Sequence, residues 1–229
     1  MKIGIIGYGK MGKAIEKAAT QQGHNILFKI NSENTHQLNK ETIKKIDVAI
    51  EFSNPEHAFK NVQFCINHNT PIVSGTTGWD EEIKKIKKIC LRKKSSFLHA
   101  PNFSIGMNLF FEINDYVAKL MCQKNYAIEI HEKHHQMKKD SPSGTAIKIG
   151  KDIYNNLNKD NKIEIPIKSK RIGKLKGEHI VNYISKIDEI TIKHKAKSRL
   201  GFSKGAILAA EFIYNKTGCF TMTDVIQNL

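Results

Sequence analysis

Lys2-Ile3-Gly4-Ile5-Ile6, then Gly7-Tyr8-Gly9-Lys10-Met11-Gly12, then Ala14-Ile15 and Ala18-Ala19 form the stretch that decides the fold. A short apolar run ending at glycine reads as a buried strand, and the alanines and isoleucine that follow keep helical spacing. A G-x-G-x-x-G between strand and helix suits a dinucleotide: the first glycine makes the turn, the second admits the pyrophosphate, and the third lets helix pack on sheet. Gly7, Tyr8, Gly9, Lys10, Met11 and Gly12 are therefore candidate cofactor contacts.

Outward from this stretch, strands keep alternating with helices. Asn25–Ile30 is a second strand, Asp47–Phe52 a third, and Ser53-Asn54-Pro55 turns into a helix carrying Ala58, Val62 and Cys65. Pro71–Ser74 leads into Gly75-Thr76-Thr77-Gly78, and Phe97–His99 into Ala100-Pro101-Asn102-Phe103. This alternation predicts a parallel sheet with helices on both faces, whose ligands lie beyond the C-terminal strand ends. Gly75, Thr76, Thr77, Ala100, Pro101, Asn102 and Phe103 join the cofactor candidates on that ground. The acid that holds the adenosine ribose belongs about 20 residues past the glycines. Asn31 falls there instead, with Lys29 nearby. Losing that carboxylate removes repulsion against a 2′-phosphate, and Lys10 or Lys29 could pair with one, so NADPH is expected to serve at least as well as NADH.

The grammar changes after Asn102. Gly106–Met121 reads as an apolar helix and Tyr126–Glu132 as an alternating strand. The stretch His131-Glu132-Lys133-His134-His135-Gln136-Met137-Lys138-Lys139-Asp140-Ser141-Pro142-Ser143-Gly144-Thr145-Ala146 follows. Its second half is written as a helix start, with Ser141 as cap and Pro142 in the first turn. Backbone N–H groups at such an end, beside the hydroxyls of Ser143 and Thr145, form an anion site. His134, His135 and Lys138 lie a few residues away and can pass protons. A polar connection, NKDNK, leads to Arg171-Ile172-Gly173; two alternating strands, Ile180–Ile184 and Glu189–Ala196, and an apolar helix, Gly205–Tyr214, complete the chain. The fold class expected is α/β: an N-terminal Rossmann-type parallel sheet with a second α+β domain built on an open mixed sheet.

Composition narrows the function. A hydrophobic share of 40% in 229 residues supports a buried core. No apolar run approaches the ~18–20 residues of a membrane span, and the glycine-broken N-terminus does not read as a signal peptide. Cys65, Cys90, Cys122 and Cys219 show no metal or disulfide spacing, which suits reduced, cytoplasmic thiols. A net charge of +15 would fit nucleic acid, yet the excess is dispersed lysine without aromatic interleaving. An anionic substrate and cofactor make the better use of it. His131, His134 and His135 lack metal partners at familiar spacing, so no metal is expected. No serine sits in a G-x-S-x-G elbow.

The segment Glu132–Ala146 resembles the signature of the dihydrodipicolinate reductase family, now called 4-hydroxy-tetrahydrodipicolinate reductases. The resemblance extends to GYGKMG, SGTTGW, APNFSIGMN, RIGKLKGEH, HKAKSR and FSKGAILAA, nearly the whole chain. It implies reduction by NADPH or NADH of 4-hydroxy-tetrahydrodipicolinate, with loss of water, on the diaminopimelate route to lysine. By match to the family motif, His134 and Lys138 are the proton-donating candidates. His135, Ser143, Gly144, Thr145 and Arg199 would hold the dicarboxylate. The resemblance further implies a homotetramer and a C-terminal segment that returns to the nucleotide domain. Residues 1–103 plus 200–229 would thus bind the dinucleotide, and 104–199 would bind substrate and drive assembly. Another Rossmann-type oxidoreductase and a non-catalytic dinucleotide-binding protein are the competing readings.

Overall fold

Apolar strands that are buried on both faces need helices on both faces, and the chain supplies them. The computed structural model describes residues 1–138, 140–157, 165–198 and 200–229. These form two units, Met1–Ile105 with Leu200–Leu229, and Gly106–Arg199.

The first unit holds a six-stranded sheet of β1 (Lys2–Ile6), β2 (Asn25–Ile30), β3 (Val48–Glu51), β4 (Ile72–Ser74), β5 (Ser96–His99) and β10 (Gly218–Phe220). The spatial order is β10-β5-β4-β3-β1-β2, with every neighbouring pair parallel. Side-chain alternation sends Ile3, Ile5, Val48 and Ile50 to one face. There they meet α1 (Lys10–Gln21) and α7 (Leu200–Ile213) through Ile15, Ala18, Ala206 and Ala210. Ile6, Ala49, Ile72 and Phe97 face the other way, onto Ile43 of α2 (Lys40–Ile43), Val62 of α3 (Pro55–Asn67) and Ile86 of α4 (Asp80–Lys93). Each such isoleucine contributes roughly 1.5–3 kcal/mol by leaving water. After β2 the chain crosses back over β1 to reach β3, so the winding direction reverses at the C-terminal ends of β1 and β3. Ile30, Ile6, Glu51, Ser74 and His99 stand in register as the last row. The turns beyond this row begin at Asn31, Gly7, Phe52, Gly75 and Ala100, and all open on one edge.

In the second unit, β6 (Ala127–His134), β7 (Ile167–Arg171), β8 (Glu178–Ile184) and β9 (Glu189–Lys195) make a mixed sheet of order β7-β6-β8-β9. β6 and β7 run parallel, while β6–β8 and β8–β9 are antiparallel. One face packs on α5 (Ile105–Met121) and α6 (Gly144–Asn156), with Ile130, Val181, Tyr183, Met107, Phe110 and Ile149 in the core. The connection NKDNK falls on residues 158–162, outside the described residues.

Candidate active site

At the edge of the parallel sheet each fingerprint glycine meets a different neighbour. Gly7 has φ +94°, and a Cβ there would lie 2.1 Å from the carbonyl oxygen of Phe52. A Cβ on Gly12 would lie 2.4 Å from the carbonyl oxygen of Gly7, which fixes how closely α1 approaches β1. Gly9 faces open space, with nothing within 4 Å of a notional Cβ, and it caps α1 without a side-chain hydrogen bond. Two glycines thus serve the packing, and the one between them leaves room at a helix N-terminus where a pyrophosphate can approach.

Behind the neighbouring turn sits Glu51, fully buried at the end of β3. Its Oε1 accepts from the Thr76 hydroxyl at 2.8 Å and from the Ser53 amide at 2.8 Å, and its Oε2 from the Ser74 hydroxyl at 2.6 Å. The Ser53 hydroxyl also donates to this carboxylate. The Thr76 carbonyl in turn accepts from the Trp79 indole at 2.7 Å, with His99 Nε2 3.0 Å away. Thr77 beside it is exposed. Farther along the edge, the Ala100–Phe103 turn is backed by α7, where a Cβ on Gly205 would overlap the Phe103 carbonyl oxygen at 1.7 Å. Ala100 and Phe103 are buried, Pro101 is exposed, and the Asn102 carboxamide accepts from the Ser104 amide at 2.9 Å.

Asn31 does reach the end of β2, but its carboxamide is engaged locally. Its Oδ1 accepts from the amides of Glu33 and Asn34, at 2.9 and 3.2 Å. Lys29 is committed to Glu16 of α1 at 3.0 Å, and the Tyr8 hydroxyl donates to the same carboxylate. Of the two lysines that could pair with a 2′-phosphate, Lys29 is thus in an ion pair with Glu16, while Lys10 is exposed in the first turn of α1.

The second cluster stands on the mixed sheet. Strand alternation turns Glu132 and His134 inward, and register sets Ser169 and His179 on either side of Glu132, with His194 beyond His179. Glu132 is wholly buried; its Oε1 accepts from the Ser143 amide at 3.1 Å and lies 3.2 Å from the Arg171 guanidinium. Its Oε2 lies 3.3 Å from His134 Nδ1 and 3.8 Å from His179 Nε2. Burial pushes the Glu132 carboxyl up, but hydrogen bonds from Ser143 and Ser169, with the charge of the nearby His134, outweigh it, and the net shift is downward. Burial lowers His134, and Lys138 and Arg171 lower it further against the opposing Glu132. Burial, reinforced by His134, pushes His179 down to about 4.

From there the chain makes a turn in which the Lys138 amide donates to the His135 carbonyl at 3.1 Å, leaving His135 half-buried. Lys138 Nζ holds both Asp140 carboxylate oxygens, at 2.7 and 2.8 Å. Arg171 ties this loop down through the carbonyls of Lys138 and Asp140. The helix start differs from the sequence reading. Ser143, not Ser141, is the cap: its hydroxyl accepts from the Ala146 amide at 3.2 Å, and α6 begins at Gly144. Anchoring of the Ser143 amide by Glu132 moves the cap inward, so Pro142 precedes the helix. Gly144 is exposed and Thr145 half-buried at its first positions. Arg199 lies outside the described residues.

Sequence reasoning missed Glu51, Glu132, Arg171 and His179. The signal for Glu132 was a carboxylate at an inward position of an alternating strand; Arg171 and His179 were quoted only as parts of longer motifs. Local spacing offered no metal site, yet Glu132, His134 and His179 bring ligand-type atoms within 4.8 Å of one another. The Arg171 guanidinium on the same carboxylate makes this a poor seat for a divalent cation, because its positive charge opposes a second one.

Fold and site together define a two-unit, Rossmann-type oxidoreductase that binds a dinucleotide and carries a buried imidazole–carboxylate cluster. Residues 1–103 match the family model for the N-terminus of dihydrodipicolinate reductase, and residues 106–226 match that for its C-terminus. The chain belongs to the dihydrodipicolinate reductase family. It is 45% identical to a 4-hydroxy-tetrahydrodipicolinate reductase of Christiangramia forsetii over 100% of this chain and 99% of that one. A reductase of the same name from Thermosipho africanus is 36% identical over 99% of this chain and 98% of its own length. Among solved structures, a dipicolinate-bound dihydrodipicolinate reductase from Paenisporosarcina sp. TG-14 shares the fold, with TM-score 0.81, 22% identity, and coverage of 96% and 97% of the two chains.

Proposed function

We propose that this chain reduces 4-hydroxy-tetrahydrodipicolinate to tetrahydrodipicolinate on the diaminopimelate route to lysine, releasing water and consuming one NAD(P)H and one proton. Full-length membership in the reductase family carries this reading. A bound nicotinamide dinucleotide supplies the hydride. Gly9 and the first turn of α1 hold its pyrophosphate, and the Gly75–Thr77 and Ala100–Phe103 turns border the rest of that edge. The first unit is thus the dinucleotide-binding domain, and the second binds substrate.

Ser143, Gly144 and Thr145 receive one substrate carboxylate at the start of α6, where amides and hydroxyls converge. His135 and Arg199 assist in holding the dicarboxylate. Lys138 gives up the proton and is restored from solvent; His134 orients the reacting ring. NADPH serves at least as well as NADH, because Asn31 offers the ribose no carboxylate and Lys10 remains exposed for a 2′-phosphate. Assembly is a homotetramer built through the second unit, a reading supported by the exposed stripe Leu109, Ile113, Tyr116 and Leu120 on α5. A cytoplasmic setting suits the four free cysteines. No helix among the described residues is long and apolar enough to cross a membrane.

The test is oxidation of NADPH, followed by absorbance, with the dicarboxylate generated in situ by its synthase. Turnover by the wild type is expected. None with NADPH or NADH would overturn the assignment.

A further inference from the structure

We infer that Glu132 is a positioning residue which fixes the tautomer of His134, leaving the Nε2 of that ring as a hydrogen-bond acceptor. The inference rests on the reductase reading for its kinetic consequence but not for its geometry. One oxygen of this fully buried carboxylate is saturated by the Ser143 amide at 3.1 Å and the Arg171 guanidinium at 3.2 Å. Neither the other oxygen nor His134 Nδ1 makes a hydrogen bond among the described residues, so the two face each other as a close electrostatic contact. The near neighbours of this oxygen include two imidazole nitrogens, His134 Nδ1 at 3.3 Å and His179 Nε2 at 3.8 Å, and the Ser169 hydroxyl also acts on this carboxylate. A lone pair on His134 Nδ1 would face that negative oxygen without water between them, whereas an N–H there is attracted to it. Which ring nitrogen carries the proton is set by what the other meets. The proton therefore resides on Nδ1.

The opposite nitrogen looks toward Gly177. A Cβ at that position would come within 3.2 Å of His134 Nε2, so glycine keeps the acceptor face clear. A neutral ring with an unprotonated Nε2 accepts a hydrogen bond and cannot donate from that atom. Lys138 is then left as the proton source. The same carboxylate holds the Ser143 amide, so one buried group orients both the ring and the first turn of α6.

Two measurements test this. Nitrogen-15 NMR of the wild-type protein at neutral pH, with His134 assigned by the loss of its signals in His134→Gln, should show the Nδ1–H tautomer. An Nε2–H tautomer would overturn the inference whatever the activity. Glu132→Gln keeps an oxygen for Ser143 and Arg171 but turns an amide nitrogen toward His134, favouring the other tautomer. Its kcat should fall roughly 10- to 1000-fold while KM for the dicarboxylate and for NADPH stays within about threefold. A kcat within about twofold of wild type, or a loss of kcat with the tautomer unchanged, would refute it. Failure of the wild type to turn over the dicarboxylate would sink the functional reading alone, since the tautomer is read without substrate.

Discussion

The hydroxyl of Thr76 donates to Oε1 of Glu51 at 2.8 Å, and this joins the turn after β4 to the end of β3 from beneath. The Glu51 carboxylate is the common acceptor for Ser53, Ser74 and Thr76, and so shapes the edge proposed for the dinucleotide. Glu51→Ala leaves the buried Ser74 and Thr76 hydroxyls without this acceptor, at a cost of about 1–3 kcal/mol each where no water enters, while the Ser53 amide keeps the Thr76 hydroxyl oxygen at 3.0 Å. Thermal melting should report a clear loss of stability. The milder Thr76→Val should raise KM for NADPH severalfold with little change in KM for the dicarboxylate; an unchanged KM for NADPH would remove Thr76 from the cofactor site.

The fingerprint glycines should respond differently to the same substitution. Gly12→Ala puts a methyl 2.4 Å from the Gly7 carbonyl oxygen, so folding should suffer. At Gly9 a Cβ meets nothing within 4 Å and the backbone is ordinary extended, so in Gly9→Val the fold should survive while dinucleotide affinity collapses. Calorimetric titration with NADPH beside a melting curve separates the two. Retained affinity in Gly9→Val would mean that the pyrophosphate sits elsewhere.

Lys138→Ala should lower kcat by roughly 10²–10⁴ if the ammonium is the general acid. Its partner Asp140 is more exposed, and the ion pair lies outside the core, so stability should barely move. Chemical denaturation and single-turnover kinetics together decide the matter. Wild-type kcat in this variant would assign the proton to another group.

Acid should weaken the second unit through His179. Burial holds its pKa at about 4 in the folded chain, below the ordinary 6.5. The unfolded chain therefore binds the proton first as pH falls. Stability from the neutral ring is complete above about pH 6.5, declines toward pH 4, and is lost below that. The loss is on the order of 3 kcal/mol at most. Urea midpoints measured across this window should fall for the wild type and fall less for His179→Gln. Equal slopes would show that another group controls the acid limb.

Asn31→Asp restores a carboxylate where the adenosine ribose is expected. Preference should move toward NADH, with kcat/KM for NADPH falling about tenfold or more and that for NADH maintained. Steady-state kinetics with both cofactors measures it. Lys29→Ala should matter less to NADPH than Lys10→Ala, because Lys29 is held by Glu16 at 3.0 Å.

Much of the parallel unit was legible from the sequence because burial on both faces writes it in unbroken apolar runs such as Val48-Ala49-Ile50. The glycines added the switch point, and Gly75 and Ala100 fell at strand ends as anticipated. The second unit was harder. Strand β7 was not recognised, since its inward positions after Ile167 are Ser169 and Arg171, and a polar inward face erases the alternation that marks a strand. Their polarity is explained only by Glu132 and His134 across the register. The cap at Ser143 was misplaced for a similar reason: Glu132, on another element, selects it. Strand β10 is three residues long, and an edge of that length leaves little pattern to read.

The polar row Ser169, Glu132, His179 and His194 runs across four strands at one end of the mixed sheet, one row away from apolar Ile167, Ile130, Val181 and Ile192. Sliding β6 by one residue would turn Lys133 toward the core in place of Glu132; the same slip in β8 would exchange His179 for Glu178. The first would bury the Lys133 ammonium, and the second would take the already buried Glu178 carboxylate away from Lys133 and Lys193, its partners on the outer face. The row around Glu132, the carboxylate proposed to position His134, is thus also an alignment key: strands that pair correctly assemble the cluster, and strands that do not are penalised by it. Selection for the placement of His134 and selection for the fold act here on the same carboxylate.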